Sequence, residues 1–127
     1  MKVMLLGFGV WDAGRIGHTL ARLGHEPVVA TDADEAVEMI DTDSTIRVAI
    51  ADGRVPNFEW HRFCGLLRED PVRSLTYTLL VEDPAEDPSH EDWAAEMGIS
   101  DFIERLDDPR ELKRRLRVAE RSVMEFA

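Results

Sequence analysis

Apolar residues along this 127-residue chain follow two textures that alternate from end to end. Short unbroken runs, "KVMLL" (2–6), "EPVVAT" (26–31), "IRVAIAD" (46–52), "TYTLLVE" (76–82) and "SDFIE" (100–104), read as strands. Between and after them come segments in which apolar residues return every three or four positions. The first helix is predicted over "AGRIGHTLARLG" (13–24), with Ile16, Leu20 and Leu23 on one side and Gly24 as its stop. The second, "DADEAVEMI" (32–40), opens with Asp32 and has Glu35 three residues on, the spacing of a capping box. The third, "NFEWHRFCGLLRED" (57–70), turns Phe63, Leu66 and Leu67 inward. The fourth, "SHEDWAAEMG" (89–98), starts at Ser89 and stops at Gly98. The last, "DPRELKRRLRVAERSVMEF" (108–126), has Asp108 as cap, Pro109 at its first position, Glu111 completing the box, and Leu112, Leu116, Ala119, Val123 and Phe126 at helical spacing.

Five β-α units in this order predict an α/β fold: a five-stranded parallel sheet, doubly wound, with helices on both faces. The third strand is apolar through most of its length, as a strand covered on both sides must be. The length suits a single domain over residues 1–127, either alone or as the first domain of a longer protein. In doubly wound sheets ligands sit at the carboxyl ends of the strands. The residues to read are therefore 7–12, 32, 52–56, 82–88 and 104–107.

Composition narrows the chemistry. The single cysteine, Cys64, allows no disulfide framework within the chain and reads as a buried, inert thiol in a reducing, cytoplasmic setting. No apolar run is long enough to span a membrane. The four histidines, at 18, 25, 61 and 90, show no metal-ligand spacing. A formal net charge of −11 opposes nucleic-acid binding by this domain. The basic island "RELKRRLR" (110–117) is expected to be a solvated helix face suited to a helix C-terminus.

The stretch "GFGVWDAG" (7–14) imitates a dinucleotide fingerprint, with Asp32 after the second strand as the ribose acid. A small dinucleotide-binding domain using the Gly7–Gly9 loop is one reading. But the third glycine of G-x-G-x-x-G is replaced by Asp12, whose carboxylate repels a pyrophosphate.

"VAIADGRVPNFEWHRFCGLLREDP" (48–71) supports another reading. An aspartate ends the third strand, a proline follows four residues later, and a helix closes on C-x-x-L-R-x-D-P: Asp52, Pro56, Cys64, Leu67, Arg68, Asp70 and Pro71. Together with "ARLGHEPVVATDADEAVEMI" and "MGISDFIERLDDPREL", this resembles the response-regulator receiver family of two-component signalling across nearly the whole chain. The resemblance implies a flavodoxin-like sheet of order 2-1-3-4-5, no enzymatic turnover of its own, and Asp52 as the equivalent of the phosphoacceptor. The family holds Mg²⁺ with an acidic pair after strand one, where this chain has Gly7 and Phe8. It places a hydroxyl residue after strand four, where this chain has Glu82. It places a lysine after strand five, where this chain has Arg105. The chain thus resembles a degenerate, atypical member, a pseudo-receiver. No cofactor is expected, and Mg²⁺ is not expected to bind in the family manner. The alternative is a conventional receiver, phosphorylated on Asp52 by a histidine kinase in a phosphorelay.

Three finer expectations follow. Arg105 is expected to reach into the former phosphorylation pocket and pair with Asp52, Glu82 or both, the alternative being three separately solvated charges at a loop rim. Trp11, beside Phe8, is expected to fill the space left by the acidic pair and metal, the alternative being an exposed aromatic for a partner. Trp60 and Trp93 are expected to pack on their helices. The acidic loop "EDPAEDPSHED" (82–92) reads as a solvated loop bordering the surface formed by the fourth helix, fifth strand and last helix. The resemblance implies that a signalling protein or output domain is bound there, and a homodimer is a further possibility on the same grounds.

Overall fold

The computed structural model describes residues 1–54, 59–82 and 96–124. Strands β1 (Lys2–Leu6), β2 (Glu26–Ala30), β3 (Ile46–Asp52), β4 (Tyr77–Val81) and β5 (Asp101–Ile103) form one parallel sheet in the order β2-β1-β3-β4-β5. The described helices are α1 (Val10–Arg22), α2 (Ala33–Thr42), α3 (Glu59–Arg68) and α4 (Pro109–Met124), with a short 3-10 turn at Arg73–Leu75. The sheet order and the βα alternation are those expected. Residues 89–95 of the helix predicted over 89–98 lie outside the described residues.

The unbroken apolar runs have a direct cause. Val3 and Leu5 face one side of the sheet, where they join Ile16 and Leu20 of α1 and Leu112, Leu116, Ala119 and Val123 of α4. Met4 and Leu6 face the other side, with Val37 and Ile40 of α2 and Trp60, Phe63, Cys64 and Leu67 of α3. Period-two alternation therefore feeds two cores at once, and neither parity can be polar. Burial pushes the Cys64 thiol up to about 12, which leaves it a protonated hydrophobe.

Local signals fix the helix ends. Asp32 caps α2 by accepting from the Glu35 amide at 2.8 Å, while the Glu35 carboxylate reaches the Thr31 hydroxyl at 2.9 Å. Asp108 accepts from the Arg110 amide at 3.0 Å at the start of α4. Gly24 takes φ +89° after α1, and the His25 and Gly24 amides close back on Leu20 and Ala21 in a Schellman turn. The start of α1 departs from expectation by one turn: Gly9 is its N-cap, and the Ala13 amide already bonds to the Gly9 carbonyl at 2.8 Å.

Across the amino-terminal end of the sheet, Lys2 donates to Asp43, the residue that closes α2. This bond, with those from Thr45, holds the Asp43 carboxyl at about 2, below its ordinary 3.8. A depressed acid stabilises the fold above its ordinary value, and that contribution fades as pH falls toward 2. Lys2→Met is expected to raise the Asp43 pKa from about 2 toward 3.8, the Thr45 bonds still holding it down, read from the carboxyl carbon shift in an NMR pH titration.

Candidate functional site at the carboxyl end of the sheet

Asp52 is the last residue of β3 and its side chain is only 4% exposed. It stands beside the ends of β1 and β4, pairing in register with Val81. A buried carboxylate needs partners. Here they come from two residues further along the chain. The Arg54 amide donates to Asp52 Oδ1 at 3.0 Å, closing an Asx turn. The Arg54 guanidinium then folds back over the same group: Nε donates to Oδ1 at 3.0 Å and Nη2 to Oδ2 at 3.2 Å. This is a bidentate, charge-assisted clasp that engages both carboxylate oxygens.

Gly53 makes the clasp possible. Its amide donates to the Val81 carbonyl at 2.9 Å. A Cβ at this position would lie 2.8 Å from that carbonyl oxygen and 2.9 Å from Leu80 Cδ1. Only glycine lets the chain press against β4 this closely, and the tight turn delivers Arg54 above Asp52. Gly53 and Arg54, which complete the site around Asp52, are the residues that the sequence reading missed. The signal was present: an acid, a glycine and a forked cation at i, i+1 and i+2 are the makings of an Asx turn that its own arginine can cover.

The other pocket positions fall as follows. Gly7 turns the chain out of β1 with φ +87°, and a Cβ there would lie 3.7 Å from the Asp52 Cβ. It is therefore next to the carboxylate yet brings no oxygen of its own side chain. Phe8 is half-buried and packs toward the α1/α4 core. Glu82 lies one residue past β4, with its amide donating to the Ile103 carbonyl at 3.0 Å.

Two expectations are corrected. Arg105 is exposed and makes no ion pair or side-chain hydrogen bond among the described residues. β5 ends at Ile103, so strand alternation no longer aims the chain at Asp52 two residues later, and Arg54 already occupies that carboxylate. Trp11 does not fill the pocket either: it is 87% exposed. Because α1 begins at Val10, its inner side is taken by Ala13, Ile16, Gly17 and Leu20, and Trp11 falls on the opposite side. Trp60 is buried, as expected, and Trp93 lies outside the described residues. Arg54 also borders an open groove of about 990 Å³ that includes Trp11, Arg15, His18, Glu104 and Asp107.

For the dinucleotide reading, Asp12 stands in the first turn of α1, where a pyrophosphate would have to lie. Among the described residues, no three His, Cys, Asp or Glu side chains gather in a metal-binding group, and no helix is long and apolar enough to cross a membrane.

No family model matches the chain, and no curated protein does. Solved structures do. The chemotaxis response regulator CheY4 of Vibrio cholerae is 20% identical, over 93% of this chain and 97% of that one, with a TM-score of 0.78. The receiver domain of the Francisella response regulator 1452 is 19% identical, over 94% and 96%, with a TM-score of 0.78. A probable two-component system response regulator/GGDEF domain protein is 17% identical, with a TM-score of 0.83; the match covers 98% of this chain but only 50% of that one. At these identities the likeness is one of architecture. Taken with the strand order β2-β1-β3-β4-β5, it shows that this chain has the fold of a response-regulator receiver domain.

Proposed function

We propose that this chain is a receiver-like signalling module that works by binding protein partners and does not run a Mg²⁺-dependent aspartyl phosphorylation cycle. The observation that carries this reading is the Arg54 clasp on Asp52. Phosphoryl transfer to a carboxylate needs a free oxygen as nucleophile and cations arranged around the incoming group. Here both oxygens of the acceptor-equivalent are engaged by one guanidinium. The donor set also fits Mg²⁺ poorly. That ion wants oxygens in an octahedral array, and Gly7 and Phe8 supply none from their side chains where the family resemblance calls for an acidic pair. An arginine at the acceptor adds repulsion toward any divalent cation.

The module is read as non-enzymatic and cytoplasmic, with a protein partner or output domain as its target and no nucleic acid or membrane involved. The surface formed by β5 and α4 is the proposed contact face. The one observation favouring a conventional receiver is Asp52 itself, which stands at the end of β3 where the family resemblance puts a phosphoacceptor. Beryllium fluoride, a phosphoryl mimic for carboxylates, separates the two. With Mg²⁺ present, the amide NMR spectrum of this protein is expected to stay unchanged. Shifts spreading through 52–54, 77–82 and 101–105 are the outcome that sinks the proposal.

A further inference from the structure

Helix α4 carries six cations and two carboxylates, which leaves +4 on the helix and −15 on the rest of a chain whose total is −11. Its inner side is apolar, and Arg115 on that side is tied to Asp101 at 3.2 Å. Arg110, Arg114, Arg117 and Arg121 are all exposed. At 100° per residue these four fall within an arc of about 60°, along about 17 Å of helix. None of them makes an ion pair or side-chain hydrogen bond among the described residues, although the chain is rich in acids. Exposed Val118 and Met124 border the stripe, at 46% and 68% exposure.

We propose that this arginine stripe is the docking surface for an acidic amphipathic helix of a partner protein. The inference rests on the reading of the chain as an interaction module and names the chemistry of its partner. Charge complementarity selects the occupant. Forked guanidinium groups at i, i+4, i+7 and i+11 match carboxylates repeating at the same spacing on a facing helix. Val118 and Met124 supply apolar contact at the margins. A broad polyanion such as a nucleic-acid duplex or an anionic bilayer is disfavoured, because beyond the stripe it meets the −15 of the body. A single helix is narrow enough to touch the stripe alone.

The test uses the whole chain and a fluorescent, alanine-based helical peptide with four glutamates at i, i+4, i+7 and i+11 and leucines flanking them. Its control has the same composition with the glutamates spread around the helix. Binding to the striped peptide is expected to weaken with salt. It should exceed binding to the control and fall at least about tenfold in Arg114→Glu/Arg117→Glu. Both substitutions lie on exposed positions, and an unchanged thermal transition shows that the fold is kept. Equal binding of both peptides, no loss in the variant, tighter binding to duplex DNA or phosphatidylserine vesicles, or a stripe-dependent dimer in sedimentation each overturn the proposal. A phosphoryl adduct on Asp52 overturns the functional reading instead and leaves the peptide result unaffected.

Discussion

Replacing Arg54 by leucine is expected to lower the unfolding free energy by about 2–3 kcal/mol. The substitution removes two charge-assisted bonds from a carboxylate that is 4% exposed and leaves it only the backbone amide of residue 54. The upper end of the range for a broken buried pair does not apply, because the Arg54 side chain is itself 42% exposed and water can follow it out. Adding Asp52→Asn to this variant is expected to restore about 1 kcal/mol or more, since a neutral amide tolerates the vacated site better than an unpaired charge. Asp52→Asn alone should cost about 1 kcal/mol, so the two substitutions are strongly non-additive. Urea unfolding of the four proteins measures this. Additive losses mean that the clasp is a solvated surface pair.

The second large effect concerns the metal. Gly7→Asp with Phe8→Asp returns the carboxylates that the receiver resemblance places after β1. That pair is expected to bind Mg²⁺ in the millimolar range only when Arg54→Leu is included. With Arg54 in place, the guanidinium holds the third carboxylate and repels the ion. The restored acids carry their own cost. A side chain at the φ of +87° found for Gly7 costs about 1–2 kcal/mol, and the half-buried ring of Phe8 gives up roughly as much. Isothermal titration of the unsubstituted chain, the double variant and the triple variant decides the point. Equal Mg²⁺ affinity with and without Arg54 contradicts the proposed role of the arginine.

The architecture was legible because its signals are local and redundant. Each strand of the inner sheet is covered on both faces, so it reads as an apolar run. Asp32, Asp108 and Gly24 mark helix ends through their own hydrogen bonds or backbone preference. The site was legible only in part. Asp52 and Gly7 could be placed, because strand ends set their positions. Arg105 was misjudged because its aim depends on where β5 stops, and a strand end cannot be fixed to one residue from composition. Trp11 was misjudged for a similar reason: Val10 and Trp11 are apolar yet belong to the outer side of a helix that begins a turn early. Arg54 was overlooked since its role depends on Gly53 pressing against the Val81 carbonyl, a tertiary contact with no periodic signature.

The central claim is that Asp52 is held by its own chain in place of being offered to a phosphoryl donor. Intact-mass spectrometry after incubation with acetyl phosphate, with and without excess Mg²⁺ and alongside Asp52→Asn, tests it most directly. No phosphoryl adduct in any sample is the predicted result. A Mg²⁺-dependent adduct that is absent from Asp52→Asn contradicts the account and makes the chain a working phosphorylation switch.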